Sequence, residues 1–307
     1  MRRPAAAGSG QAPERRIREG GGVAEELFVV GAGLMGSGIA QVAAAGGYSV
    51  TLHDSDRRAL ERARAGIESS LDRLVAKGTI TGGTRLAALE RIATSDQLDA
   101  ARGTRLAVEA VFERLEVKQE VFRRLDALAA DDAVLASNTS ALPITAIASA
   151  TQRPEAVVGT HFFAPVPVMA LCELVMGLHT SERTLERARA FAEACGKTTV
   201  TVRRDVAGFV TTRLLTTVAM EAARLVEQGV ISAEDLDTAC RLGFAWRMGP
   251  LATMDLSGLD VLWHAARNIW DETGDPKFLP PETVTRMVQA GQLGRKTGRG
   301  WYEYRSD

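Results

Sequence analysis

Cysteine is scarce in this chain, with three in 307 residues: Cys172, Cys195 and Cys240. Their number is odd and no two share C-x-x-C spacing. That excludes a disulfide framework and a cysteine-built metal site, and a reducing, cytoplasmic setting is expected. A surplus of charge is also missing. The 37 basic residues face 38 acidic ones, so nothing global draws the chain to nucleic acid or to an anionic membrane. No uninterrupted apolar stretch approaches the roughly 18 residues of a membrane span. What is there, 46% hydrophobic and 24% charged residues, suits a globular protein long enough for two domains with cores of their own.

Residues 1–25 stand apart. Ala, Gly and Pro dominate, Arg2, Arg3, Arg15, Arg16 and Arg18 recur, and no apolar periodicity appears. Such a segment buries too little surface to offset its ordering entropy, so a disordered tail is expected. An arginine-rich transit peptide would look similar, but Glu14, Glu19 and the missing amphipathic pattern speak against it.

The stretch that organises the chain follows. Leu27, Phe28, Val29 and Val30 form an apolar run that breaks into Gly31-Ala-Gly33-Leu34-Met35-Gly36, and Ile39, Val42 and Ala43 then recur at helical spacing. A buried strand, a tight turn and a helix start are what a dinucleotide pyrophosphate requires. Gly31 allows the turn, Gly33 lets backbone approach the phosphates, and Gly36 lets helix and strand pack closely. Leu34 and Met35, at the helix start, add free N–H groups and the positive end of the helix dipole. G-x-G-x-x-G alone also fits an ordinary flexible turn. Here a second strand over 48–53 ends at Asp54, about 20 residues past the glycines, where a carboxylate accepts from ribose hydroxyls and repels the 2′-phosphate of NADP. The expected cofactor is NAD.

After Asp54, Leu60, Ala63, Ile67, Leu71, Leu74 and Val75 make a helical stripe, broken by Gly78, Gly82 and Gly83. Leu86, Leu89 and Ile92 suggest a return helix, hence a helical hairpin inserted between strands. Strand-like runs resume at 106–112, 133–136, 156–160, 171–175 and 199–202, with helices over 117–128 and 181–195 between them. Alternation of this kind predicts an α/β fold: a Rossmann-type, doubly wound, mostly parallel sheet over 26–203. From Asp205 strand signals fade. Helical patterns run from Val210 to Val226, after a capping Ser232, around Leu259, Leu262 and Ala266, and around Val284, Met287 and Val288. An all-helical domain over 204–307 is expected, apolar enough to bury surface against a second copy as a homodimer.

Ligands of such sheets bind at the carboxyl ends of the strands. Two motifs fall there. Ser137-Asn138-Thr139-Ser140 follows one strand, and its small polar residues also suit a plain turn and cap. His161-Phe-Phe-Ala164-Pro165-Val166-Pro167 follows another, in a loop whose prolines forbid a regular helix. One histidine among four (His53, His179 and His264 are the others) carries little weight alone. Glu173 raises it: a carboxylate in an otherwise apolar strand needs a partner. If His161 donates to Glu173 through Nδ1, its other nitrogen is free to take a hydroxyl proton while NAD takes the hydride.

The chain resembles the L-3-hydroxyacyl-CoA dehydrogenases, the 3-hydroxybutyryl-CoA dehydrogenase group included. The glycine turn, Ser137–Ser140, His161 to Met169 with Glu173, Gly208-Phe-Val-Thr-Thr-Arg-Leu-Leu215, Met248-Gly-Pro250 and Gly294 to Tyr302 carry the resemblance, in order and in spacing, from about residue 26 to the C-terminus. It implies NAD-dependent interconversion of a 3-hydroxyacyl and a 3-oxoacyl thioester. It places the catalytic base on His161, its orienter on Glu173, the substrate-contacting serine on Ser140 and the ribose-binding acid on Asp54. Further cofactor contacts fall on Glu113, Lys118 and Lys296, and coenzyme A contacts on Ser70 and Lys77. The family usually has Asn where this chain has Ala164 and Thr212, both beside the substrate. A thioester carried on an acyl carrier protein, as in polyketide extender-unit biosynthesis, is therefore an alternative to the CoA thioester. A non-catalytic NAD-binding homologue and a sugar-acid dehydrogenase of the same superfamily are further alternatives.

Overall fold

The computed structural model describes residues 25–304. The expected tail lies outside the described residues apart from Glu25. That residue's carbonyl accepts from Ser49 N, and its carboxylate pairs with Arg187 at 3.7 Å.

The chain runs β1 (Glu26–Val30), α1 (Leu34–Ala45), β2 (Ser49–His53), α2 (Arg57–Ala76), α3 (Gly82–Glu90), β3 (Ile92–Ser95), β4 (Leu106–Glu109), α4 (Leu115–Leu128), β5 (Val134–Ser137), α5 (Ile144–Ala148), β6 (Val157–Phe162), β7 (Leu171–Val175), α6 (Glu182–Ala194) and β8 (Thr198–Val202). The strands form one eight-stranded sheet in the order β3-β2-β1-β4-β5-β6-β7-β8. Every neighbouring pair is parallel except β6 with β7. Strand order reverses between β1 and β4, and the crevice outside that switch point is where doubly wound sheets take ligands.

Period-2 alternation divides the core between the two faces of the sheet. Leu27 and Val29 pack with α1, the α2–α3 hairpin and α6, whereas Phe28 and Val30 pack with α4 and α5. The hairpin forms because Asp56 caps α2 through Arg58 N, Thr81 caps α3 through Thr84 N, and Leu60, Ala63, Ile67 and Leu71 bury one stripe. Arg85 ties the two helices together through Asp72 at 2.6 Å.

Three local expectations change. Ile92 leaves the return helix and begins β3, pairing with Val50 at the sheet edge. Four residues, three of them Ala, Thr and Ser, give too short and too polar a run for alternation to show. Ala110, Val111 and Phe112 fall outside β4, which ends at Glu109, whose side chain turns back to accept from Val111 N. His161 lies inside β6, not in the loop beyond it, since β7 folds back and extends the pairing to Phe162.

Beyond β8 follow α7 (Thr211–Glu227), α8 (Ala233–Gly243), α9 (Pro250–Ser257), α10 (Leu259–Thr273) and α11 (Glu282–Gln289). Their core gathers Ala219, Met220, Leu251, Met254, Leu262 and Val284. Buried Asp255 fastens the C-terminal segment by accepting from Trp301 N, Tyr302 N and Tyr304 Oη at 2.9–3.0 Å. No helix among the described residues is long and apolar enough to cross a membrane.

Candidate active site

The glycine turn is built by steric exclusion. Gly31 has φ +102°, and a side chain there would meet Ala110 O at 2.6 Å. One at Gly36 would meet Gly31 O at 1.8 Å, so helix and turn touch backbone to backbone. Gly33 differs, because a side chain there would meet nothing within 4 Å. The space in front of Gly33 is open, and α1 begins there with no side-chain cap and no acidic residue in its first turn. Leu34 is exposed and Met35 half-buried beside it. Asp54 braces the turn: its Oδ2 accepts from Ala32 N at 2.9 Å and its Oδ1 from Asp56 N at 3.0 Å. A carboxylate has about four acceptor sites, so Asp54 keeps capacity for ribose hydroxyls. An open, uncapped helix start beside a spare carboxylate fits NAD.

The second group lies just past the carboxyl ends of β4 and β5 and on the first turn of α4. Glu113 Oε1 accepts from Thr139 Oγ1 at 2.5 Å, Ser140 N at 2.8 Å and Ala141 N at 3.1 Å, while Lys118 Nζ stands 3.2 Å from its Oε2. Burial opposes the charge on Glu113, but Lys118 and these donors hold its carboxyl below the usual range. Lys118 is itself 1% exposed and turned inward onto Glu109 at 2.7 Å. The Ser137–Ser140 turn is thus more than a cap. Asn138 Oδ1 also accepts from Phe162 N at 2.9 Å, joining this turn to the strand that carries His161.

The third group is that strand and its neighbour. His161 and Glu173 are register partners across β6 and β7. Nδ1 lies 2.8 Å from Oε2, with both side chains buried. Burial works against the charge on Glu173, yet the His161 bond and two from Thr211 (N to Oε1 and Oγ1 to Oε2, both 3.0 Å) hold its carboxyl below the usual range. Thr211 opens α7, whose positive end adds to the effect. An ionised carboxylate only accepts, so Nδ1 carries the hydrogen, and Nε2 makes no hydrogen bond among the described residues. Phe163 and Phe209 flank the imidazole at 4.4 and 5.8 Å between ring centroids. Phe209 holds φ 48° to do so, a left-handed conformation uncommon for an aromatic residue.

Ala164 is exposed just past β6, and Thr212 is half-buried in the first turn of α7. The loop that carries Ala164 is clamped from two sides. Buried Val166 fills the hollow left by Gly38, where a side chain would meet its Cβ at 2.8 Å. Lys197 Nζ donates to Val166 O and, at 2.8 Å, to Met169 O. Ser70 and Lys77 sit seven positions apart on and just beyond α2, a spacing that puts them on one helix face. Lys296 lies in the C-terminal segment. Its ammonium pairs with Asp260 of α10 at 2.6 Å, and among the described residues it bonds to none of the other candidate cofactor residues. Thr211, Glu109 and Lys197 were not singled out in the sequence because each acts through a tertiary contact.

Two family models cover almost the whole chain: the NAD binding domain of 3-hydroxyacyl-CoA dehydrogenase matches residues 26–206 and its C-terminal domain residues 208–304. The chain belongs to the 3-hydroxyacyl-CoA dehydrogenase family. It is an NAD-dependent oxidoreductase of that family. A 3-hydroxybutyryl-CoA dehydrogenase of Mycobacterium tuberculosis is 43% identical over 91% of this chain and 98% of its own length. The human mitochondrial hydroxyacyl-coenzyme A dehydrogenase is 41% identical, with 92% of each chain covered. Among solved structures, the (S)-3-hydroxybutyryl-CoA dehydrogenase PaaH1 of Ralstonia eutropha superposes with a TM-score of 0.88 at 38% identity, covering 92% of this chain and all of its own.

Proposed function

We propose that this dehydrogenase oxidises the 3-hydroxyl of a short-chain 3-hydroxyacyl-CoA, such as 3-hydroxybutyryl-CoA, with His161 as general base. The observation that carries the reading is the buried His161–Glu173 pair at the carboxyl end of a sheet whose switch point presents the glycine turn. NAD, when bound, supplies the acceptor for the hydride that leaves C3. Gly31, Gly33, Leu34, Met35 and Gly36 receive its pyrophosphate and Asp54 its ribose, and Glu113 with Lys118 borders the same crevice. Nε2 of His161 takes the hydroxyl proton, and Glu173 stabilises the imidazolium that results. Ser140 donates its hydroxyl to the C3 oxygen. In the reverse direction the proton returns from Nε2 to that oxygen. A positioned base of this kind contributes about 10²–10⁴-fold.

Ser70 and Lys77 face the phosphate-bearing arm of coenzyme A, and Ala164 and Thr212 border the acyl group. The chain divides near residue 203, and exposed Leu214, Leu242, Phe244 and Leu256 on the helical part support a homodimer. Initial rates of NADH formation with 3-hydroxybutyryl-CoA and with the same acyl group on a carrier protein test the reading. A clear preference for CoA is expected, and a preference for the carrier protein overturns it. Light scattering that shows a monomer at micromolar concentration removes the homodimer.

A further inference from the structure

Glu109 is fully buried, and neither the glycine turn nor the His161 pair uses it. It sits at the hub of the sheet, in register with Val30 of β1 on one side and Ser137 of β5 on the other. Three donors reach its carboxylate, which has about four acceptor sites. Oε1 takes Lys118 Nζ and Val111 N, both at 2.7 Å, and Oε2 takes the Ser137 hydroxyl at 2.7 Å. The contacts continue outward in two arms. Ser137 Oγ accepts from Thr139 N at 3.3 Å, and Lys118 hands its charge on to Glu113, which gathers Thr139 Oγ1, Ser140 N and Ala141 N. The two arms meet at the turn that presents Ser140.

We propose that Glu109 is a positioning residue for Ser140, fixing its turn through the Ser137 hydroxyl on one side and the Lys118–Glu113 pair on the other. A buried carboxylate costs stability unless fully paired. Here its pairing is spent on the one turn whose serine meets the reacting oxygen, and 36% of the Glu113 side chain faces out at the same place. The proposal rests on the reading of Ser140 as a substrate contact.

A kinetic double-mutant cycle tests it, because residues acting through one another are not additive. The variants are Ser140→Ala, Glu109→Gln and their combination, assayed for kcat and KM with 3-hydroxybutyryl-CoA and for folding by circular dichroism. Each single variant is expected to lower kcat about tenfold or more with KM for the thioester little changed. The combination is expected to stay within about threefold of Ser140→Ala alone. Where Glu109→Gln leaves Lys118 underpaired and the protein does not fold, Ser137→Ala, which cuts only the hydroxyl arm, takes its place in the cycle. Additive losses, or an unchanged kcat for the Glu109 or Ser137 variant while Ser140→Ala is slow, overturn the positioning role alone. An unchanged kcat for Ser140→Ala overturns the reading of Ser140 and this proposal with it.

Discussion

Glu173 stands opposite His161 on the neighbouring antiparallel strand, close enough for Oε2 to accept from Nδ1 at 2.8 Å, and Thr211 of α7 closes the carboxylate from the far side. The arrangement selects one tautomer, with the hydrogen on Nδ1 and Nε2 left to accept. Glu173→Gln removes the charge and lets an amide donate as well as accept. Oxidation of 3-hydroxybutyryl-CoA is then expected to slow by about 10²–10⁴-fold, and His161→Ala by at least as much, with folding intact. Steady-state rates beside circular dichroism spectra check both variants, and a Glu173→Gln rate equal to the parent's removes Glu173 as the orienter.

The same carboxylates govern acid stability. His161 and Thr211 hold Glu173, and Lys118 with the Ser140 turn holds Glu113, below the ordinary carboxylate value despite burial. A group whose folded-state pKa is depressed stabilises the fold above its unfolded-state pKa, and that contribution disappears as pH falls through the folded-state value. Thermal midpoints measured from about pH 5 to about pH 3 should fall, and fall less steeply in Glu173→Gln. Parallel slopes for the two proteins would show that Glu173 carries no such linkage.

What was legible in the chain was whatever periodicity or local spacing encodes. The glycine turn, the helical hairpin and the sheet alternation are read from neighbours in sequence, and Glu173 betrayed itself as a charge among apolar residues. β3 was hidden because Ile92–Ser95 is short and mostly polar, and its strand character comes from pairing with β2. Thr211 and Lys197 gave no local signal either. A threonine opening a helix and a lysine ahead of a strand look ordinary until the fold brings them to Glu173 and to the loop carbonyls.

Lys197 supplies a prediction of its own. Its side chain lies buried against the loop that follows His161, donating to Val166 O and Met169 O, while Thr198 N holds Ala170 O at 2.7 Å. Lys197→Met keeps the length of the stem and removes the ammonium. Two carbonyls lose a charged donor, at a cost of about 3 kcal/mol. The thermal midpoint should fall accordingly. KM for the thioester should rise as well, because Ala164 rides on the freed loop. A variant that melts like the parent protein would mean that Val166 against Gly38 suffices to hold the loop.

Gly33 and Gly36, three residues apart in one turn, should respond in opposite ways to the same substitution. At Gly36 an added methyl would meet the Gly31 carbonyl at 1.8 Å, far inside contact distance and against backbone that has nowhere to move. Gly36→Ala therefore strains the junction of β1 and α1 and should lower the thermal midpoint, with NAD binding lost as a consequence. At Gly33 the methyl meets no protein atom within 4 Å, and the backbone there is an ordinary extended one with φ −73°. Gly33→Ala should melt like the parent protein. It should nonetheless bind NAD more weakly, because the methyl occupies the space that the pyrophosphate needs in order to reach the N–H groups of α1. Melting curves paired with calorimetric titration of NAD separate the two effects. Undiminished NAD affinity in Gly33→Ala would move the phosphate site away from this turn.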